Sequence, residues 1–119
     1  MKIAISTKGG SMESELDLSF GRARTFLLFD TENRAFTAHD NTENWNAAQG
    51  AGIQAAQSVI QLGATAVITG QVGPKAFQAL KTGGVRIFLA QALNNVADAI
   101  DALENGSLAE ASSETKQGD

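Results

Sequence analysis

The sequence predicts an α/β domain with a five-stranded mixed sheet, helices on both faces and a second strand antiparallel to the others. Three observations lead to it. Short apolar runs rich in β-branched residues alternate with stretches of helical periodicity. A tight-turn sequence separates two of the early strands, and glycines stand where helices are expected to begin or end. The predicted order is β-ββ-α-β-α-β-α, which builds a hairpin unit followed by right-handed βα crossovers.

The first three strands form the hairpin unit. Residues 2–6 have the pattern expected of a first strand, and a polar loop over residues 7–24 follows. Residues 26–29 are a nearly continuous apolar run, and the polar turn at residues 30–33 leads into an alternating segment at residues 34–39. The turn between two such runs predicts antiparallel pairing.

The first helix follows a polar loop. Ile53, Ala56 and Ile60 lie on one helical stripe, and Gly63 is a plausible stop. Residues 64–69 are short, apolar and β-branched, which is typical of a buried parallel strand.

Two more helices and one more strand complete the domain. Pro74 fits the first position of a helix, which residues 83–84 end before a strand at residues 85–89. Asn94 or Asn95 is expected to cap a last helix. We expect one domain over residues 1–108 and a disordered polar tail over 109–119.

Composition excludes several kinds of chemistry. The 119 residues contain no cysteine, so disulfides, thiol catalysis and thiolate-ligated zinc or iron–sulfur sites are ruled out. A formal net charge of −4 argues against nucleic acid as a partner, because such binding needs a basic surface. No apolar run approaches the roughly 18–20 residues that span a bilayer, and no signal region is evident, so we expect a cytoplasmic protein that does not bind membranes.

Ligands of open α/β sheets bind outside the carboxyl ends of the parallel strands. The predicted topology brings residues 6–10, 39–52 and 69–75 to that edge. Glycines at helix starts present backbone N–H groups to an anion, and several basic residues stand in or beside these loops. The candidate cofactor-binding residues are Ser6, Lys8, Gly9, Arg22, Arg24, Gly50, Gly52, Thr69, Gly70, Gly73 and Lys75. The alternative is that these glycines only permit close packing and tight strand-to-helix turns.

Other candidates are weaker. His39 is the single histidine, and Met12 offers a thioether, so both are minor candidates for metal ligation. Trp45 either plugs the edge of the core or covers the cavity. The sequence lacks four patterns typical of enzymes: a Walker pattern, a dinucleotide fingerprint, paired metal-binding carboxylates on the first strand and a nucleophile elbow. We therefore do not expect an enzyme.

Three segments together resemble a known family. They are Ser19-Phe20-Gly21-Arg22-Ala23, Gly50-Ala51-Gly52, and residues 67–77 with the sequence VITGQVGPKAF. In order and spacing they are similar to the dinitrogenase iron–molybdenum cofactor biosynthesis family of NifX/NifY-like proteins, over about residues 1–108. The resemblance implies a ribonuclease-H-like fold and a protein that holds or carries a metal–sulfur cofactor.

The resemblance also implies a kind of cargo. One subgroup of the family binds a molybdenum–copper sulfide cluster non-covalently, and such a cluster brings its own sulfide ligands. We therefore expect storage or delivery of an anionic, molybdenum-containing metal–sulfur cluster, together with partner proteins of cofactor assembly. Two alternatives remain open. The helix starts could bind a phosphorylated metabolite or nucleotide, or the protein could act only as a partner in protein assembly.

Overall fold

The fold is a six-stranded mixed sheet with helices on both faces. The structure, a computed structural model, describes residues 1–48, 50–90 and 93–112. The strands are β1 (Lys2–Thr7), β2 (Thr25–Asp30), β3 (Phe36–Asp40), β4 (Ala66–Thr69), β5 (Arg86–Leu89) and β6 (Ala109–Glu110). The helices are α1 (Ala51–Gln61), α2 (Pro74–Thr82) and α3 (Val96–Glu104), and a short 3₁₀ turn spans Thr42–Asn44.

The strand order is β3-β2-β1-β4-β5-β6. The central strands β1, β4 and β5 run parallel, whereas β2 pairs antiparallel with both β1 and β3. The antiparallel second strand and the hairpin are thus confirmed. The carboxyl ends of β1 and β4 lie side by side, and the loops that follow them define the edge at which the candidate site is found.

The prediction of five strands and of a tail beginning at residue 109 is wrong. Residues 109–110 form β6, which pairs antiparallel with β5. Ala111 is buried and its N–H donates to the Ile87 carbonyl at 2.8 Å. Arg86 adds two hydrogen bonds to the Glu110 carboxylate across this pair. Two residues are too few to show an alternation in sequence. Residues 113–119 of the predicted tail lie outside the described residues.

Helices cover both faces of the sheet, as predicted. One face of β1 and β4 contributes Ala4 and Val67 to a core shared with α1 and α2, and the other contributes Ile5 and Ile68 to a core shared with α3. None of the helices in the described ranges is both long and apolar enough to cross a membrane.

The helix ends follow the sequence signals, whereas the buried face of α1 differs from the prediction. Pro74 opens α2, and the Asn95 side chain caps α3 by accepting from the Asp98 N–H at 2.9 Å. The buried stripe of α1 consists of small residues such as Ala55 and Ala56, so Ile53 lies half-buried beside it instead of at its centre. Small residues let α1 approach the sheet and α2 closely.

Candidate functional site

A segment that we call the strap, residues 17–23, crosses the carboxyl ends of β1 and β4. The Asp17 N–H donates to the Ser6 carbonyl at 3.0 Å, and the Gln71 N–H donates to the Leu18 carbonyl at 2.6 Å. Phe20 donates back to the Gln71 carbonyl and buries its ring 5.1 Å from that of Phe26. The strap is therefore held by backbone bonds along its length and by one aromatic anchor.

The hydroxyls of Ser6 and Thr69 lie beneath the strap. Both residues are buried, Ser6 Oγ donates to the Asp17 carbonyl at 2.6 Å, and it lies 2.7 Å from Thr69 Oγ1. Gly70 belongs to the same layer, because a Cβ on it would lie 2.6 Å from the Leu18 Cβ. The structure thus places these three candidates under the strap, where they hold it in position.

The starts of α1 and α2 meet beside the strap, as the topology predicted. Between them lies a cavity of about 260 Å³, which we call the helix-start cavity. The strap forms one wall and the first turns of the two helices form the other. Its lining residues are Ser19, Gly21, Arg22, Ala51, Gly52, Gln71, Gly73 and Ala76.

Both helix starts have backbone N–H groups for which the described residues provide no hydrogen-bond acceptor. Gly50 and Gly73 are the N-caps of α1 and α2, and neither has a side chain to bond to the first turn. Gly50 has a φ of 109°, a conformation that disfavours other residues. Within the described ranges, no acceptor meets the amides of Ala51, Gly52 or Ala76, and neither first turn holds an acidic residue. Such amides and the two helix dipoles favour an anion.

Gly21 brings the strap onto the first turn of α1. A Cβ on Gly21 would lie 2.9 Å from both the Cα and the N of Gly52. A Cβ on Gly52 would lie 3.1 Å from the Cβ of Ala76, at the start of α2. The two glycines therefore set the distances among the strap, α1 and α2.

Among the residues that the structure describes, Arg22 is the basic residue of the cavity wall, and no carboxylate lines the cavity. Its side chain is exposed. The structure thus brings together Arg22, Gly52 and Gly73 of the predicted candidates, with Gly50 adjoining them as the α1 cap.

Lys8 and Lys75 stand outside this cavity. Lys8 lines a second cavity of about 400 Å³ on the other side of the strap, where Glu15 and Asp17 also lie. Its ammonium is 3.4 Å from the Glu15 carboxylate. Gly9 packs in the same loop, because a Cβ there would meet the Ser14 hydroxyl at 2.6 Å. Lys75 is exposed on the first turn of α2 without lining the cavity.

Arg24 is associated with a different group. The pKa of Asp40 lies below its ordinary value, first because the Thr42 N–H and hydroxyl donate to its carboxylate, and further because of the Arg24 charge. Arg24 is exposed and lines none of the cavities described here. The two arginines of the loop thus have different surroundings.

The minor metal candidates lie apart from the cavity. His39 Nε2 is 2.8 Å from the Thr37 hydroxyl on the edge strand β3, and Met12 packs against the core on the α3 side. Within the described ranges, no three His, Cys, Asp or Glu residues are grouped to hold a metal ion.

Asn41 was not predicted from sequence, and it is the buried polar residue behind Arg22. Its side-chain amide donates to the carbonyls of Gly21 and Ala23, at 3.2 and 2.8 Å. Trp45 Nε1 also donates to the Ala23 carbonyl, at 3.1 Å. Trp45 thus fixes the end of the strap and does not line the helix-start cavity. An asparagine in a polar loop has no local signature, because both partners lie about 20 residues away.

Comparisons with known proteins agree with the fold. The profile of the family described as "Dinitrogenase iron-molybdenum cofactor" matches residues 1–106. The structure is similar to that of the apo form of the orange protein from Desulfovibrio gigas, with a TM-score of 0.92, 34% identity and coverage of 97% of this chain and 96% of that one.

Two further relatives extend the comparison. A NifB-like protein of the DUF35 family from Thermotoga is similar with a TM-score of 0.84, at 32% identity and 98% coverage of both chains. An uncharacterised protein of Methanocaldococcus jannaschii is 29% identical over 92 residues, covering 76% of this chain and 75% of the relative.

Proposed function

The chain belongs to the dinitrogenase iron–molybdenum cofactor family, and from that premise we propose that it binds an anionic metal–sulfur cluster non-covalently, for storage or delivery. The cluster is the cargo of the protein. The helix-start cavity receives it, and no bond of the cargo is made or broken there.

One observation carries the proposal. Two helix starts without capping side chains and the basic residue Arg22 line one cavity, and no carboxylate of the described residues lines it. The first-turn amides of Ala51, Gly52 and Ala76 supply donors, and the helix dipoles add positive potential. Arg22 adds a charge and a planar set of donors. An anion with several acceptor atoms is the ligand that such a wall stabilises.

The cargo supplies its own sulfur in this proposal. The chain has no cysteine, so metal–thiolate bonds to the protein are impossible. Sulfide atoms on the outside of a cluster can accept hydrogen bonds from backbone amides, as anions do in backbone nests. We propose a molybdenum-containing cluster, with a molybdenum–copper sulfide as the specific candidate, and we base the choice of metal on the family resemblance.

Cavity size favours a compact anion over a nucleotide. Pockets for drug-sized ligands typically enclose about 300–1,000 Å³. The helix-start cavity encloses about 260 Å³, and the strap separates it from the neighbouring cavity. A phosphorylated metabolite would use the same amides, so it is the rival that an experiment must separate from a cluster.

The residues that line the cavity suit a protein that binds its cargo without catalysing a reaction of it. Its polar side chains other than Arg22 are Ser19 and Gln71, which are neutral, and His39 lies on the edge strand. General acid–base catalysis requires a titratable group within hydrogen-bond reach of the reacting atom. We therefore propose a carrier, with cofactor-assembly proteins as its partners.

Reconstitution tests the proposal. The purified protein is incubated anaerobically with tetrathiomolybdate, with or without a copper salt, and unbound reagent is removed by gel filtration. We expect a visible chromophore and stoichiometric molybdenum to elute with the protein. Parallel samples receive ATP or inorganic phosphate. Stabilisation by ATP without uptake of molybdenum would support the rival and overturn the cluster proposal.

A further inference from the structure

Asn41 is a buried polar side chain near the cavity, and both ends of its amide are hydrogen-bonded. It is 1% exposed, and its two amide protons reach the carbonyls of Gly21 and Ala23. Those two carbonyls flank Arg22 in the chain. The Gly21 carbonyl belongs to the peptide group just before Arg22, and the Ala23 carbonyl belongs to the peptide group one residue beyond it. Because one side chain holds the backbone on both sides of the Arg22–Ala23 peptide group, the segment that carries the Arg22 side chain has little freedom to turn.

The same side chain is connected to α1. Asn41 Oδ1 accepts from Asn44 Nδ2 at 2.8 Å, and Asn44 Nδ2 also reaches the Ser58 hydroxyl of α1 at 3.2 Å. A hydrogen-bonded chain thus runs from the strap through Asn41 and Asn44 to α1. Ser58 lies two turns beyond the start of α1, so the chain ties the strap to the helix whose first turn lines the helix-start cavity.

We infer that Asn41 is a positioning residue for the cargo, which sets where Arg22 stands relative to the start of α1. The inference rests on the proposed function. Charge-assisted hydrogen bonds depend strongly on distance and direction, so an arginine on a loosened loop would lose affinity although its charge remained. Asn41 contributes to binding through Arg22 and does not line the cavity itself.

Asparagine suits this position because its side-chain amide has two N–H protons for the two carbonyl oxygens. An aspartate has the same shape, but its oxygens would face two carbonyl oxygens with no proton between them. Serine offers one proton where the two carbonyls need two. The Ala23 carbonyl keeps its bond from Trp45 in either case, so the end of the strap stays attached when Asn41 is changed.

A double-mutant cycle tests the inference. The variants are Asn41→Ser, Arg22→Gln and the double change, with Asn44→Ala as a second way of breaking the chain to α1. Each is checked by near-ultraviolet circular dichroism and is then titrated with tetrathiomolybdate to obtain the half-saturation concentration. We expect Asn41→Ser to raise that concentration at least about threefold in the native background and less than about twofold in the Arg22→Gln background, the coupling expected of residues that act through one contact.

The outcomes separate this inference from the proposed function. Asn41 has no positioning role if Asn41→Ser and Asn44→Ala leave the half-saturation concentration unchanged, or if they raise it equally in both backgrounds. In that case, weaker binding by the Arg22→Gln variant would still support the proposed cavity. If Arg22→Gln itself has no effect, the proposed cluster site fails and the inference fails with it. A fold-change confined to proteins that retain Arg22 supports both.

Discussion

Gly21 of the strap lies against Gly52 of α1 so closely that a Cβ on Gly21 would be 2.9 Å from the backbone N and Cα of Gly52. Both contacts are to backbone atoms, which cannot rotate away as a side chain can. The cavity wall therefore depends on the absence of a single methyl group.

Gly21→Ala is expected to destabilise the protein by about 1–3 kcal/mol, the usual cost of forcing extra volume into a packed site. It should also displace the strap from α1 and weaken cluster uptake. Urea unfolding measures the first effect and tetrathiomolybdate titration the second. Gly10→Ala is the matched control, because its added Cβ meets only the Ala38 side chain, at 3.1 Å. Equal stability of the two variants would contradict the close-approach account.

Arg22→Gln and Arg24→Gln remove the same charge two residues apart. We expect Arg22→Gln to weaken cluster binding about fivefold to thirtyfold, equivalent to the loss of about 1–2 kcal/mol from a charge-assisted bond at an exposed side chain. Arg24→Gln should change binding less than twofold at about 0.15 M salt, where long-range charge effects are largely screened. Equal losses would mean that net charge, and not the cavity wall, governs uptake.

Ser6→Ala tests the bonds beneath the strap. The substitution leaves the Asp17 carbonyl and the Thr69 hydroxyl without their Ser6 partner, a loss of about 1–3 kcal/mol for buried groups. We expect faster hydrogen exchange at the amides of Phe20 and Gln71. Ser11→Ala, on an exposed loop, is the control. Unchanged exchange in the Ser6 variant would show that backbone bonds alone hold the strap.

Acid should weaken the ion pairs that hold the opposite end of the sheet. The pKa of Glu104 lies below its usual value because Arg34 donates to its carboxylate, and Arg86 lowers the pKa of Glu110 in the same way. A carboxyl group with a lowered folded-state pKa stabilises the fold above its unfolded-state pKa, and this stabilisation is lost as pH falls through the folded-state value.

The melting temperature should therefore fall as pH drops below about 4.5, the ordinary glutamate value. The fall should be shallower in the Glu104→Gln/Glu110→Gln variant. Because these pairs are exposed, the difference between the variant and the native protein should be small and should shrink in high salt. Glu13→Gln changes a carboxylate outside the ion pairs of the described residues. If Glu13→Gln made the fall in melting temperature with pH equally shallow, the overall charge of the protein, and not the two ion pairs, would be responsible for the fall.

The sequence predicted the features of the fold that arise from local patterns. Turn residues and apolar runs indicate the hairpin and the antiparallel second strand. The glycines at the starts of α1 and α2, such as Gly52 and Gly73, indicate where the two helix starts meet. It did not predict β6, because the burial of Ala111 depends on a bond to Ile87 far along the chain.

The sequence predicted the helix starts and Arg22 as residues of the candidate site, and it missed the rest for similar reasons. Ser6 and Thr69 belong to the expected edge, but the strap covers them through bonds formed with Asp17 and Gln71 that no spacing rule indicates. Sequence alone also could not separate Arg22 from Arg24, because the difference depends on Asn41 and on the Thr42–Asp40 turn. Long-range hydrogen bonds, and not residue types, decide which polar groups reach the cavity.

The position of the cargo is the central claim, and an amide chemical-shift titration tests it most directly. Tetrathiomolybdate, with and without copper, is added to the uniformly ¹⁵N-labelled protein, and each backbone amide is followed together with the Arg22 side chain. The account predicts that the largest shifts occur at Ala51, Gly52 and Ala76 and at Arg22 Nε, with little change at His39. Shifts concentrated elsewhere, or no saturable shift at these amides, would contradict it.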